Sequence, residues 1–212
     1  MKKTLLLLFL CATLFSCKKS SETPDSGNNS YQPVSKGSYW KYSNTSRFGT
    51  SLSTITMTGE KATIAEGRVF HQYTVTYSGS VSTGYGYFYA ESGMVMSVTV
   101  PMDGESLFLK EGAAVGETWL LKKPLSPAAT GIIDFPYTEP YVIIVKVIER
   151  DISRTVAGKT FKNVIHTQHI KQLNSGATIS LEDYYIAKGV GMIEHDSEGG
   201  NNTSLLVDYT IK

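Results

Sequence analysis

Four histidines are the side chains best suited to acid–base or metal chemistry in this sequence: His71, His166, His169 and His195. His166 and His169 stand three residues apart, a spacing that would bring both imidazoles to one face of a helix. The stretch from Asn163 to Gln172 reads as a strand instead, and an odd spacing on a strand sends two side chains to opposite faces. A chelating pair is therefore not expected, and the sequence predicts no metal site.

Carboxylates are the other candidates for chemistry, and the closest acid pairs are Glu182-Asp183 and Asp196 with Glu198. Neighbouring residues of a strand diverge, so Glu182 and Asp183 are not expected to act on one bond. The Gly-x-Ser-x-Gly motif of serine hydrolases is absent from the sequence. The sequence therefore predicts a protein that is not an enzyme and has no cofactor, although two carboxylates from distant positions, as in a glycosidase, stay open.

The residues most suggestive of ligand binding are aromatic. Tyr85, Tyr87 and Tyr89 occupy alternate positions of one predicted strand and so share a face, opposite two glycines. Aromatic rings stack on sugars and line apolar pockets, which makes these tyrosines candidate ligand-facing side chains. Ordinary cross-strand packing, with the glycines allowing a close approach, is the alternative.

The amino terminus has the features of an exported, lipid-anchored protein. Lys2 and Lys3 precede an uncharged run from Leu5 to Phe15, which is too short to span a bilayer and fits the apolar region of a signal peptide. Leu14-Phe15-Ser16-Cys17 resembles the lipobox of bacterial lipoproteins. That resemblance implies cleavage before Cys17, a thioether lipid on its sulfur and a fatty acid such as palmitate on the new amino terminus. An ordinary secretory signal with an incidental cysteine is the alternative.

Cysteine usage and charge then exclude several classes of site. Cys11 and Cys17 are the two cysteines of the sequence. Cys11 would leave with the signal peptide of residues 1–16, and Cys17 would carry the lipid, so disulfides and cysteine-based sites are not expected. Residues 17–33 are predicted to be the lipidated cysteine and a polar tether in which Tyr31 is the one large apolar residue. Residues 34–212 form the predicted β domain. The formal net charge of the whole sequence is +1 and becomes −1 when Lys2 and Lys3 leave with the signal peptide, and this near-neutral balance gives no electrostatic footprint for nucleic acid.

Alternating hydrophobicity predicts strands along the whole of this domain, as in Met94 to Val100 and Leu205 to Ile211. Tyr141 to Ile148 is apolar at every position except Lys146, which predicts a central strand covered on both faces. Turn signals such as Thr58-Gly59, Ser92-Gly93 and Ala157-Gly158 separate about a dozen strands. No window shows a convincing helical period, so the predicted fold class is all-β, a single domain of antiparallel strands.

Three motifs occur twice in the same order, which suggests an internal duplication. Gly37-Ser-Tyr-Trp40 is echoed by Gly116-Glu-Thr-Trp119, Gly67 to Phe70 by Gly158 to Phe161, and the Tyr-rich segment ending at Gly93 by that ending at Gly189. Residues 125–140 would be an insertion in the second copy. A repeated hairpin unit predicts a continuous curved sheet, or half-barrel, or a two-sheet sandwich, with Trp40 and Trp119 on equivalent strands. Coincidental reuse of glycine turns and aromatic strands is the alternative.

These spacings also resemble a loose group of small β-rich envelope lipoproteins of Bacteroidota-type bacteria. The group shares a lipobox, a polar tether and Gly-x-x-Trp-x-Tyr, as in Gly37 to Tyr42. Near its end comes Tyr-x-x-x-Gly-Val-Gly-x-Ile, as in Tyr185 to Ile193. The resemblance implies an envelope lipoprotein, and some proteins of this appearance have a curved sheet like that of lipoprotein carriers. It transfers no activity and no functional residues.

Three functions follow for a lipoprotein expected in the cell envelope, at the outer membrane, on its periplasmic or its surface face. The first is a non-catalytic binding or interaction domain whose partner is an envelope protein, a glycan or an apolar ligand. The second is a carrier or sensor of apolar ligands such as lipids, which requires a deep apolar cavity. The third is a glycan-acting hydrolase, which requires two carboxylates about 5–10 Å apart in a cleft.

Overall fold

The computed structural model describes residues 29–80, 83–99, 105–121, 141–197 and 202–212. The predicted signal peptide, Cys17, Glu198 and the insertion of residues 125–140 lie outside this part of the chain. The described residues form twelve strands and one 3₁₀ turn, Ala65–Gly67, and none of them forms a helix long and apolar enough to cross a membrane. The strands are β1 (Tyr39–Ser46), β2 (Gly49–Thr63), β3 (Val69–Tyr77), β4 (Thr83–Glu91), β5 (Met94–Thr99), β6 (Ser106–Lys110), β7 (Thr118–Leu120), β8 (Tyr141–Val156), β9 (Lys159–Leu173), β10 (Thr178–Ala187), β11 (Gly191–Ser197) and β12 (Asn202–Thr210).

All twelve strands belong to one antiparallel sheet. β1 to β6 form one meander, β7 to β12 form a second, and the two join where β1 pairs with β12. β6 and β7 are the two ends of the strand order, yet the N–H of Leu107 donates to the carbonyl of Leu121 over 2.6 Å. The indole N–H of Trp119 also donates to the carbonyl of Leu107, over 2.8 Å. The sheet therefore curves until its ends nearly meet, which confirms the all-β prediction in its curved-sheet form.

Both meanders begin with the same backbone turn. Gly37 and Gly116 have φ angles of 81° and 86°, in the left-handed region that favours glycine. The N–H of Gly37 donates to the carbonyl of Met57 over 2.9 Å, and that of Gly116 to the carbonyl of Val147 over 2.8 Å. Met57 and Val147 each donate their own N–H to the residue that follows the glycine. The two turns thus share one hydrogen-bonding pattern as well as one sequence motif.

Each turn leads into a strand with a buried tryptophan. Trp40 on β1 is 2% exposed and donates its indole N–H to the carbonyl of Val190 over 2.5 Å. Trp119 on β7 is 8% exposed. The prediction that the two tryptophans lie on equivalent strands, each preceded by a glycine turn, is confirmed.

Three apolar clusters form the core, and burial of each large side chain in them contributes about 1.5–3 kcal/mol. Members of the first cluster include Trp40, Met57, Phe161, Ile193 and Leu206. Members of the second include Trp119, Val145, Val147, Ile165 and Ile186. The third consists of Phe70, Tyr89, Met96 and Val98. Phe161 reaches the first cluster because the pairing of β8 with β9 shifts register three times, and such bulges bend a hairpin.

Two local predictions are wrong. Tyr141 to Ile148 is not a central strand covered on both faces: β8 is second from the end of the sheet, and Lys146 between the buried Val145 and Val147 is exposed. Thr58-Gly59 is not a turn, because β2 continues through it with a shift of register against β3. In both cases the sequence signal, an apolar run or a turn motif, is local, whereas the position of the segment in the sheet depends on which strands pair with it.

The packed domain begins before the predicted boundary at residue 34. Tyr31 is 5% exposed and belongs to the second cluster, so the single aromatic residue of the predicted tether is a core residue. Its N–H donates to the Glu111 carboxylate over 2.9 Å, and the carbonyl of Ser30 accepts from the N–H of Gly189 over 2.9 Å. These contacts fasten the chain to the end of the sheet that carries the β4–β5, β8–β9 and β10–β11 turns, termed the tether end.

Candidate functional site

A row of polar side chains crosses six neighbouring strands. Ser204 of β12 pairs with Asn44 of β1 on one side and with His195 of β11 on the other. His195 pairs with Tyr184 of β10, which pairs with Thr167 of β9. Directly paired residues present their side chains on one face of a sheet. Together with Ser53 of β2, which accepts a hydrogen bond from Asn44, this polar belt comprises Ser53, Asn44, Ser204, His195, Tyr184 and Thr167.

The belt marks the level at which the inside of the sheet changes from apolar to polar. On five strands the belt residue stands two positions from a core residue, and residues two apart on a strand share a face. These core residues are Tyr42, Leu206, Ile193, Ile186 and Ile165. They lie on the side of the belt nearer the tether end, so the opposite end of the sheet is termed the belt end.

Phe108 shows that the belt faces the inside of the curve. Its ring centroid is 5.2 Å from that of His169 and 5.1 Å from that of Tyr184. Phe108 is on β6, and seven strands separate β6 from β10 in the sheet order. Side chains from strands so far apart meet here because the sheet curves around them.

The ring of Tyr184 lies between two imidazoles. Its centroid is 4.2 Å from that of His169 and 4.5 Å from that of His195. An intervening aromatic ring keeps the two histidines from sharing one metal ion, since a zinc–nitrogen bond is about 2 Å long. Among the described residues, no group of three or more His, Cys, Asp or Glu side chains is placed to hold a metal ion.

Glu182 supplies the charge beside the belt. Its carboxylate accepts the hydroxyl hydrogen of Tyr184 over 2.7 Å and lies 3.3 Å from Nε2 of His195, an ion-pair distance without the alignment of a hydrogen bond. The neighbouring His195, and then the Tyr184 hydroxyl, hold the pKa of Glu182 at about 2 against the opposing effect of burial. Burial and this carboxylate raise the pKa of Tyr184 above its ordinary value. At neutral pH the site therefore contains a charged carboxylate and a neutral phenol.

Besides Nε2 of His195, which faces Glu182, two buried polar atoms beside Tyr184 make no hydrogen bond within the described part of the chain: Oγ1 of Thr167 and Nε2 of His169. Thr167 is 0% exposed and His169 is 5% exposed. Burial lowers the pKa of His169 to about 4, so its imidazole is neutral at pH 7. Buried polar atoms are almost always hydrogen-bonded in folded proteins. These two atoms therefore mark a place for a further hydrogen-bonding group on the inside of the sheet.

His166 lies on the opposite face from His169, as the odd spacing predicts. Its Nε2 is 2.7 Å from Asp183 and its Nδ1 is 3.2 Å from Glu149, and its ring stacks on Tyr185 with centroids 4.3 Å apart. Asp183 thus binds His166 while its neighbour Glu182 faces the belt. The prediction that this acid pair diverges is confirmed.

The three candidate tyrosines have different surroundings. Tyr85 is 49% exposed, Tyr87 is half-buried, and their rings meet edge to face at 6.4 Å. Tyr89 is a core residue of the third cluster, 5.5 Å from the ring of Phe70, so its assignment as a ligand-facing residue is wrong. Tyr89 is buried because the long β2–β3 hairpin brings Phe70 over it. Tyr85 retains a ring open to solvent.

One of the two glycines opposite these tyrosines permits a close approach. A Cβ on Gly86 would lie 2.4 Å from the hydroxyl oxygen of Tyr73 and 2.9 Å from the carbonyl oxygen of Val98. A Cβ on Gly84 would meet nothing within 4 Å. The packing alternative for this strand is thus supported at Gly86, where a side chain would displace the buried Tyr73.

A concavity of about 460 Å³ opens at the tether end, with Asp151 and Lys188 in its lining. Arg150 in its wall donates to the carbonyl of Glu111 over 2.8 Å, and the Glu111 carboxylate holds the N–H of Tyr31. These two charged groups therefore fasten the amino-terminal segment to the sheet.

The belt escapes sequence analysis because its residues are scattered between positions 44 and 204. Its one local signal is a polar residue two positions from a large apolar residue on strand after strand. That signal is common on exposed sheet faces, and pairing of the strands is what turns it into a row.

No protein-family model matches the chain, and no curated protein matches it. Two solved structures are similar. A candidate lipoprotein from Parabacteroides distasonis ATCC 8503 is 14% identical with a TM-score of 0.48, and the match covers 86% of this chain and 99% of that one. A candidate exported protein with a YmcC-like fold from Bacteroides fragilis NCTC 9343 is 9% identical with a TM-score of 0.46, over 84% and 97% of the two chains. The likeness concerns the arrangement of strands alone.

Proposed function

We propose that the chain is an envelope lipoprotein, anchored through Cys17, whose β domain binds a ligand at the belt without catalysis. The lipobox supports the anchor. The unpartnered Thr167 and His169, on the inside of the sheet beside Phe108, are the observation that supports binding. Ligand sites usually combine a few convergent polar groups with a concave, largely apolar surface. The belt places polar side chains on the inner face of the curved sheet, and the neighbouring His169 contacts the ring of Phe108.

The chemistry of the belt favours a neutral, hydroxyl-rich ligand such as a glycan. Thr167 and the neutral His169 offer hydrogen bonds that only a polar group can complete. The charged Glu182 disfavours phosphate or carboxylate groups, because like charges repel. The apolar carrier has less support in the described residues, where core side chains such as Met57 and Ile193 are 0–1% exposed and pack against one another.

Ser204, His195 and Glu182 are the residue types of a hydrolase triad, yet their arrangement favours binding. In a triad the serine hydroxyl donates to the histidine, and the carboxylate holds the other ring nitrogen. Here Ser204 donates its proton to Oδ1 of Asn44 over 2.8 Å. Glu182 faces Nε2, the nitrogen that would receive the serine proton in the chymotrypsin arrangement.

We expect Cys17→Ser to abolish incorporation of labelled palmitate and to release the protein from membranes. The thioether and the acylated amino terminus both depend on the Cys17 sulfur and on cleavage beside it, and two or more acyl chains are needed for stable anchoring. Metabolic labelling and membrane fractionation measure both effects. Ser16→Ala is the control, because it keeps a small residue before the cysteine and should label normally. A serine variant that labels like the wild type would contradict the anchor.

We expect the soluble Cys17→Ser protein to bind a member of a panel of neutral oligosaccharides, and the added change Thr167→Val to weaken that binding about 3–10-fold. Valine keeps the shape of threonine and removes one hydrogen bond, worth about 0.5–1.5 kcal/mol. Calorimetric titration gives both affinities, and Thr45→Val on the exposed β1–β2 hairpin is the control. Binding of a fluorescent fatty acid instead would favour the carrier. Turnover of a nitrophenyl ester or glycoside that is lost in Ser204→Ala would favour the hydrolase.

A further inference from the structure

We infer that the anchored protein turns its tether end to the membrane and its belt away from it, so that the belt receives a water-borne solute rather than a lipid of the anchoring membrane. The inference rests on the proposed lipidation of Cys17. It adds to the proposed function the direction from which the ligand arrives and the compartment that supplies it.

The support for this orientation is the place where the amino-terminal segment joins the sheet. Tyr31 is inserted in the core, Glu111 holds its N–H, and Gly189 holds the carbonyl of Ser30. All of these contacts are at the tether end. Asn29 follows Cys17 by twelve residues, and a chain of that length spans at most about 43 Å. The tether end therefore stays within that distance of the lipid.

The length of the strands sets how far the belt end lies from the tether end. β1 runs from Tyr39 at the tether end to Ser46 at the belt end, a rise of about 23 Å at 3.3 Å per residue. The β1–β2 turn lies beyond it and carries Phe48, which is 85% exposed under the Arg47 guanidinium. When the tether end faces the bilayer, the belt end projects into water.

The core decides the direction of entry. Ile165, Ile186 and Ile193 are 0–2% exposed, and they fill the inside of the sheet on the tether side of the belt. A ligand that reaches Thr167 and His169 must therefore come from the belt end. In the inferred orientation that end opens to the aqueous compartment.

Depth-dependent fluorescence quenching tests the orientation in the intact lipoprotein. The lipid occupies the Cys17 sulfur, so a single introduced cysteine is labelled uniquely. We would place one fluorophore at a time on Lys188→Cys and Ala114→Cys at the tether end, and on Phe48→Cys and Asn202→Cys at the belt end. All four positions are exposed. The lipidated proteins would be reconstituted in phosphatidylethanolamine–phosphatidylglycerol vesicles with and without a headgroup-linked quencher.

Quenching at the two tether-end positions is expected to exceed that at the two belt-end positions at least threefold. Equal quenching at both ends, or stronger quenching at Phe48→Cys and Asn202→Cys, would overturn the inference. Flotation with the vesicles is measured first. Protein that fails to float disproves the anchor, and with it the orientation, whereas floating protein with equal quenching disproves the orientation alone.

Discussion

Substitution of Trp40 by alanine is expected to lower the free energy of unfolding by about 3–5 kcal/mol, the range found when a buried aromatic side chain is removed. Trp40 is 2% exposed and packs in the first cluster between the two meanders. The change also leaves the carbonyl of Val190 without the indole hydrogen bond. Urea unfolding followed by far-ultraviolet circular dichroism measures the loss, because this signal does not depend on the tryptophan that is removed.

Two further variants separate packing from a general sensitivity to aromatic loss. Trp40→Phe keeps most of the buried surface and should lose clearly less stability than the alanine variant. Phe48→Ala removes a ring that is 85% exposed and should stay within about 0.5 kcal/mol of the wild type. A Trp40→Ala protein as stable as Phe48→Ala would contradict the role of Trp40 at the junction of the meanders.

The repeat could be predicted from sequence because its signals are local. Gly37 and Gly116 must adopt positive φ, and a Trp three residues later must be buried, so both constraints leave a short motif. The alternation from Met94 to Thr99 and from Leu205 to Thr210 is a period-two pattern, and both segments are strands in the structure. Local backbone and burial requirements therefore predict the all-β class and the repeated motif.

Sequence could not give the properties that depend on which strands meet. Tyr141 to Ile148 is apolar enough for a central strand, yet β8 is second from the end of the sheet. Its inner face, with Val145 and Val147, is buried inside the curved sheet, whereas Lys146 on its outer face is exposed. Tyr89 and Tyr85 have the same sequence context, and the distant Phe70 buries one and leaves the other exposed. The belt has the same origin, because pairing across six strands aligns residues as far apart as Asn44 and Ser204.

The belt also explains why rejecting a histidine pair was correct and still incomplete. His166 and His169 do face opposite sides, but His169 meets His195 through the ring of Tyr184, from a strand 26 residues further along the chain. The spacing of two residues along one strand can show that their side chains do not meet, but contacts between strands depend on how the strands are paired. As a result, the imidazole of His169 is buried and neutral, and burial lowers its pKa.

Stability is therefore expected to fall by about 3 kcal/mol as the pH decreases from 6.5 to 4, mainly through His169. Burial lowers the pKa of His169 in the folded protein to about 4, from an ordinary value of 6.5. Between these pH values the unfolded chain binds a proton that the folded protein does not, so the free energy of unfolding decreases as the pH falls. A difference of about 2.5 pKa units corresponds to roughly 3 kcal/mol. Glu182, with a pKa of about 2 instead of 4.5, acts in the same direction but below pH 4.5.

The variant His169→Phe should remove most of this pH dependence and leave the fold intact. Phenylalanine keeps the ring contacts with Phe108 and Tyr184, binds no proton and removes the unpartnered Nε2. Urea unfolding at pH 7.0, 6.0, 5.0 and 4.5 would show a steep decline in the wild type and a shallow one in the variant. His71→Gln is the matched control: burial also lowers the pKa of His71, but this residue is only partly buried and should account for a minor share of the slope. An unchanged slope in His169→Phe would show that the buried imidazole of His169 is protonated as readily in the folded protein as in the unfolded chain.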